Sequence, residues 1–130
     1  MCLRGASAVR QMLERHPGDP MRVFLVWSAV RKQDKKGVPD GTYDRVPDPR
    51  VTQFWDRKLD LSKRIVRDVT QNPAPYRLDD PITDKTVVWD FAAVYPPGVR
   101  WEKTFPVPSY YGKPVAAVIR DVEERVSARK

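Results

Sequence analysis

Val23-Phe24-Leu25-Val26-Trp27 is the stretch of sequence that decides the fold. It is apolar at every position, and it follows closely on a turn sequence, Pro17-Gly18-Asp19-Pro20. A short run that is apolar on both faces is typical of a strand in a parallel sheet with helices on both sides. We therefore predict a buried strand within Met21 to Ala29 and an α/β architecture.

The residues before this strand predict a helix from Gly5 to His16. Its apolar residues share one face at three- and four-residue spacing, namely Ala6, Val9, Met12 and Leu13. The Pro-Gly-Asp-Pro turn ends the helix, because proline cannot continue the hydrogen-bond ladder and glycine supplies the turn. His16 at the helix end is expected to act as a cation beside the C-terminal carbonyls rather than in catalysis.

The middle of the chain predicts a long loop followed by a strand and a helix. Arg31 to Pro49 is polar and rich in glycine, proline and aspartate. Val51 to Trp55 predicts a short strand. Leu59 to Thr70 predicts a helix that Asp60 is able to cap. The aspartates of this region do not have the spacing of a calcium loop, so we expect turn and cap duty from Asp44, Asp48, Asp56 and Asp60.

The C-terminal part predicts an antiparallel hairpin followed by a helix. Thr86 to Tyr95 predicts one strand, Pro96-Pro97-Gly98 the turn, and Val99 to Trp101 the returning strand. Pro114 suits the first turn of the last helix, whose apolar stripe consists of Val115, Val118, Ile119, Val122 and Val126. We expect a single domain over residues 1–130, with a central mixed sheet and helices on both of its faces.

Composition excludes several classes of protein. With one cysteine and one histidine, the chain cannot form an internal disulfide or the four-ligand set of a structural zinc site. We expect no metal and no cofactor. No apolar run approaches the roughly 18 residues of a membrane span, and the N-terminus lacks the apolar core of a signal peptide. These features favour a cytoplasmic protein with no membrane partner.

The net charge of +7 favours anionic partners through long-range attraction. The cations are spread along the chain, which disfavours a nucleic-acid partner. The densest run, Arg31 to Lys36, is interrupted by Asp34 and is expected to be a solvated loop.

The predicted order of elements resembles the thioredoxin fold with its first strand absent. Cys2-Leu3-Arg4-Gly5-Ala6 occupies the place of the Cys-x-x-Cys motif. The segments from Asp48 to Asp56, from Val88 to Phe91 and from Tyr95 to Trp101 are similar to a group of uncharacterised bacterial thioredoxin-like proteins. The resemblance implies thiol–disulfide exchange, with a protein thiol or glutathione as the partner.

Cys2 is the candidate redox thiol, and Arg4 and Gly5 are its supporting residues. Gly5 stands where the motif has its second cysteine, and no proline directly precedes Thr86, where thioredoxins have a cis-proline. Cys2 corresponds either to the surviving thiol of a one-cysteine domain or to the resolving cysteine of a pair. In the second case, the domain is N-terminally incomplete, and the nucleophilic cysteine and first strand lie before Met1. A form with such residues could also be exported.

The alternative function is a non-catalytic interaction module that uses a basic and aromatic surface. Phe105, Tyr110 and Tyr111 lie in a proline-rich connection that we expect to run over the surface. Such aromatic residues are enriched in protein interfaces, which makes these three the candidate partner-binding residues.

Overall fold

The computed structural model describes residues 2–31, 36–78 and 81–127. The helices are α1 (Leu3–Arg15), α2 (Asp60–Gln71) and α3 (Val115–Ser127), and the strands are β1 (Val23–Ser28), β2 (Val51–Asp56), β3 (Ala92–Val94) and β4 (Tyr110–Gly112). Tyr43–Arg45 forms a short 3₁₀ turn before β2. The mixed α/β class is confirmed. The elements follow the predicted order as far as β3, but the strand after it is Tyr110–Gly112 and not Val99 to Trp101. Residues 32–35 of the basic run from Arg31 to Lys36 lie outside the described residues.

β1 and β2 form a parallel pair in which Val23 is opposite Val51 and Ser28 is opposite Asp56. Leu25 and Trp27 turn inward and are buried in a cluster with α1 and the start of α3. The prediction that helices cover both faces of this strand is wrong for the outer face, where Phe24 is 63% exposed. The sequence does not reveal that one face of this strand stays open, because the residues on both of its faces are apolar.

β3 and β4 form a separate antiparallel pair, with Ala92 opposite Gly112 and Val94 opposite Tyr110. The described residues therefore hold two two-stranded sheets, one parallel and one antiparallel, instead of the predicted central mixed sheet. The pairing of β3 starts where the amide of Ser109 donates to the carbonyl of Val94 at 2.8 Å.

The predicted hairpin with Val99 to Trp101 is wrong, because β4 takes the place of that strand. The predicted strand from Thr86 is also too long. The amide of Val88 donates to Ser62 Oγ at 2.7 Å instead of joining a ladder. Asp90 adopts a φ of 50°, which breaks the extended run just before β3.

Three apolar clusters form the core. One joins α1 to β1 and Val115, one joins α1 to α3 through Met12 and Val122, and one joins α2 to Val88 and Phe105. No helix within the described ranges has both the length and the apolar character needed to cross a membrane.

Arg50 connects the C-terminal end of α1 to the start of β2. Its guanidinium donates to the carbonyls of Leu13 at 3.0 Å, His16 at 2.6 Å and Asp19 at 3.1 Å. The carboxylate of Asp48 accepts from the same guanidinium at 2.7 Å and from the Arg50 amide at 2.9 Å. The carbonyls of Leu13 and His16 also accept from the amides of His16 and Asp19. The guanidinium therefore adds a second donor at the end of α1 and connects the turn after it to β2.

Candidate functional site

Cys2 occupies the N-cap position of α1, which begins at Leu3, two residues before the predicted start at Gly5. Its backbone is extended, with φ −92° and ψ 154°. Its carbonyl accepts the first helical hydrogen bond, from the amide of Ala6 at 2.9 Å. The side chain makes no capping hydrogen bond, and the residue is half-buried as a free thiol. The residue therefore stands at the positive end of the α1 dipole, where the first amides lack intrahelical partners.

The two supporting residues have different surroundings. Arg4 is exposed in the first turn of α1, whereas Gly5 is buried on its inner side. Arg10 is engaged with Glu14 at 2.9 Å, about two helical turns from Cys2. Arg4 is thus the guanidinium closest in sequence to the thiol, and Gly5 contributes close packing instead of a second sulfur.

A shallow groove runs along the same end of α1. Its lining residues are Leu3, Arg4, Ser7, Ala8, Gln11 and Ala116. Leu3, next to Cys2, is 55% exposed. The groove thus offers an apolar side chain and a guanidinium from the two residues that follow Cys2, which is not itself among the lining residues.

The three aromatic residues proposed for partner binding do not form one open surface. Phe105 is only 4% exposed and packs against Tyr76 and Tyr95, so the expectation that it lies on the surface is wrong. Tyr110 and Tyr111 are half-buried. Arg125 lies over the Tyr110 ring at 4.1 Å, and Tyr111 stacks on Phe91 at 5.3 Å. The proline-rich connection misled the sequence prediction, since here it carries a core residue.

His16 joins α1 to α3 through two carboxylates. Its Nδ1 lies 3.1 Å from Asp19 Oδ2, and its Nε2 lies 2.9 Å from Glu123 Oε1. Arg15 also donates to Glu123. Hydrogen bonds from Arg15 and His16 lower the pKa of Glu123 to about 2. The imidazole is therefore held by structural contacts, as expected from its place at the helix end.

Two of the four aspartates expected in turns and caps, Asp48 and Asp56, make such contacts. Asp56, not Asp60, caps α2, because its carboxylate accepts from the amides of Asp60 and Leu61 at 2.9 Å each. The hydrogen bonds from Arg50 lower the pKa of Asp48 to about 2. Within the part of the chain that the structure describes, no group of three histidine, cysteine or acidic side chains is arranged to hold a metal ion.

Comparison of the chain with protein-family models, with curated proteins and with solved structures gave no match in any of the three searches.

Proposed function

We propose that the chain is a thioredoxin-like protein that exchanges disulfides through the single thiol of Cys2. The observation that carries the proposal is the position of Cys2, a free thiol at the N-terminus of the first helix, followed by Leu3 and Arg4, which line a shallow groove. The order of the following elements supports it, since α1 leads into a parallel strand and the chain ends in an antiparallel pair plus a helix.

The exchange needs only the thiolate of Cys2 and a disulfide. Cys2 stands at the N-terminus of α1, two residues before the exposed Arg4. The thiolate attacks one sulfur of oxidised glutathione, a new S–S bond forms to Cys2, and the second glutathione leaves as a thiolate. A second thiol, from glutathione or a protein, attacks the mixed disulfide and restores Cys2.

Mass spectrometry tests this proposal. After incubation with oxidised glutathione, the intact protein should carry one glutathione, which dithiothreitol removes. Cys2→Ser should carry none, and Ser7→Ala, which alters the groove without touching the sulfur, should be modified like the wild type. Absence of the adduct on a folded wild-type protein would refute thiol exchange.

The outer face of the parallel sheet favours a second candidate function, an interaction module. Phe24 and Phe54 are 63% and 48% exposed, and their ring centroids are 6.5 Å apart. Parallel strands usually bury both faces, so an aromatic pair left open on one face is suited to binding a partner. A partner that binds wild type and Cys2→Ser equally, and Phe24→Ser weakly, would favour this function over thiol exchange.

A further inference from the structure

The surface around Trp101 places an exposed indole on a buried aromatic support. Trp101 is 41% exposed, and its ring centroid lies 5.4 Å from that of Phe105. Phe105 stacks on Tyr76 at 5.9 Å and meets Tyr95 edge-on at 6.5 Å. The hydroxyl of Tyr76 also donates to the carbonyl of Phe105. The ring beneath Trp101 is therefore fixed from several sides, and one part of the indole stays open to solvent.

Asp68 holds two arginines in place beside the segment that contains Trp101 and Phe105. Its carboxylate accepts from the amide of Phe105 at 2.8 Å and from Arg64 Nε at 3.1 Å, and it lies 3.4 Å from the guanidinium of Arg67. Arg64 also donates to the carbonyl of Lys103. The Asp68 side chain is 2% exposed, whereas those of Arg64 and Arg67 are 41% and 54% exposed. One buried carboxylate thus orders two cations that remain accessible.

The local charge is positive. Asp68 neutralises one of its two arginines, so the three groups together carry one positive charge. The adjoining segment exposes Arg100, Glu102 and Lys103, which add a second. The sequence spreads these cations along the chain, but folding brings the arginine pair on α2 next to the segment that holds Trp101. The even spread of cations along the sequence disfavoured a nucleic-acid partner, but it does not describe how the fold groups these cations.

We propose that this surface, formed by Trp101, Arg64, Arg67 and Lys103, binds single-stranded nucleic acid. An unpaired base stacks on the open part of the indole, and the guanidinium and ammonium groups contact the flanking phosphates. Aromatic stacking combined with a basic track is the usual chemistry of such binding, and it tolerates many sequences because every base has a π-face. Arginine suits the phosphates because its planar fork donates two hydrogen bonds to one group.

Two other anionic polymers make different demands on this surface. An acidic polypeptide would use the cations but would gain little from an exposed indole. A nucleic-acid duplex would offer phosphates, but its bases are already stacked on one another. Stacking of an unpaired base on Trp101 therefore distinguishes a single-stranded nucleic acid from an acidic polypeptide and from a duplex.

Fluorescence anisotropy with a labelled oligothymidylate of about 12 nucleotides tests the proposal. We expect Trp101→Ala to weaken binding at least about fivefold, and Trp101→Phe to retain most of the affinity. Arg67→Gln should weaken binding and reduce the slope of log K against log salt by about 0.7. Tyr43→Ala and Arg10→Gln are the matched controls, one aromatic residue that is 41% exposed and one cationic residue, both on other elements, and should bind as wild type. Circular dichroism and urea unfolding confirm that each variant is folded.

Three results would overturn the proposal. The first is equal binding by a folded Trp101→Ala. The second is displacement of the oligothymidylate by oligoglutamate as effectively as by unlabelled oligothymidylate, which would identify an acidic polypeptide as the ligand. The third is tighter binding of a duplex of the same length, which would show that charge alone, without stacking of a base on Trp101, accounts for the binding.

Discussion

Replacement of Arg50 by alanine tests how α1, and with it Cys2, is held against the parallel sheet. The side chain is 16% exposed and binds three carbonyls at the end of α1 together with the carboxylate of Asp48. Arg50→Ala removes all of these contacts at once and leaves the carboxylate, 21% exposed, without its cation.

The expected loss in the free energy of unfolding follows from the contacts that Arg50 makes. The pKa of Asp48 falls from 3.8 to about 2, chiefly through the Arg50 side chain and in part through the Arg50 amide, which alanine retains. The whole shift corresponds to about 2 kcal/mol, so loss of the side chain removes somewhat less than that. Each lost hydrogen bond to a carbonyl adds about 1 kcal/mol, although water reaching this half-open site replaces part of it. We expect Arg50→Ala to lower the free energy of unfolding by about 3 kcal/mol. Arg50→Lys should recover less than half, because an ammonium cannot reproduce the planar fork.

Urea unfolding followed by circular dichroism measures both variants. Arg45→Ala, an exposed arginine at the end of the 3₁₀ turn, is the matched control and should change stability by less than about 0.5 kcal/mol. A loss below about 1 kcal/mol for Arg50→Ala, or full recovery with lysine, would show that these hydrogen bonds do not hold α1 in place.

Three further predictions concern acid stability, the buried carboxylate and the core. The pKa values of Asp48 and Glu123 are each lowered to about 2, from 3.8 and 4.5, so their contribution is complete above about pH 4.5 and is lost as the pH falls toward 2. Urea unfolding at pH 7 and pH 2.5 should show this decline, and the decline should be smaller in Glu123→Gln. If Glu123→Gln lost as much stability between pH 7 and pH 2.5 as the wild type, Glu123 would not contribute to the acid sensitivity. For Asp68, burial raises the pKa, but hydrogen bonds from Phe105 and Arg64 outweigh it and lower the pKa below its usual value. Asp68→Ala leaves the buried amide of Phe105 without an acceptor and should cost about 2 kcal/mol, with Asp68→Asn milder because its oxygen still accepts; equal losses would show that the amide contact is unimportant. Leu25→Ala should cost about 2 to 5 kcal/mol in thermal or urea unfolding, because Leu25 is 1% exposed, whereas Phe24→Ala on the outer face should cost much less.

Local patterns predicted the helices and the two parallel strands well, but not the antiparallel pair. The three-and-four spacing gave α1 and α2 to within two residues, and the apolar run after the Pro-Gly-Asp-Pro turn gave β1. Pairing was harder to predict, because β3 finds its partner beyond the Val99 to Trp101 segment. A strand sequence specifies that it is extended, but its hydrogen-bond partner depends on which segment the rest of the fold brings to its edge.

The polar contacts between distant parts of the sequence could not be predicted. Asp68 and Phe105 are separated by 37 positions, as are Arg50 and Leu13. Nothing near Phe105 in the sequence distinguishes it from an exposed loop aromatic, and its burial depends on α2. The position of Cys2 could be predicted, because it needs only the start of one helix.

Alkylation of Cys2 by iodoacetamide, in the native protein and in concentrated urea, tests the central claim most directly. If the N-terminus of folded α1 activates the thiol, the native protein reacts faster than the unfolded chain at the same pH, and Cys2→Ser does not react. A native rate equal to or below the rate in urea, after correction with a free-cysteine peptide measured in both solvents, would contradict activation of Cys2 by this fold.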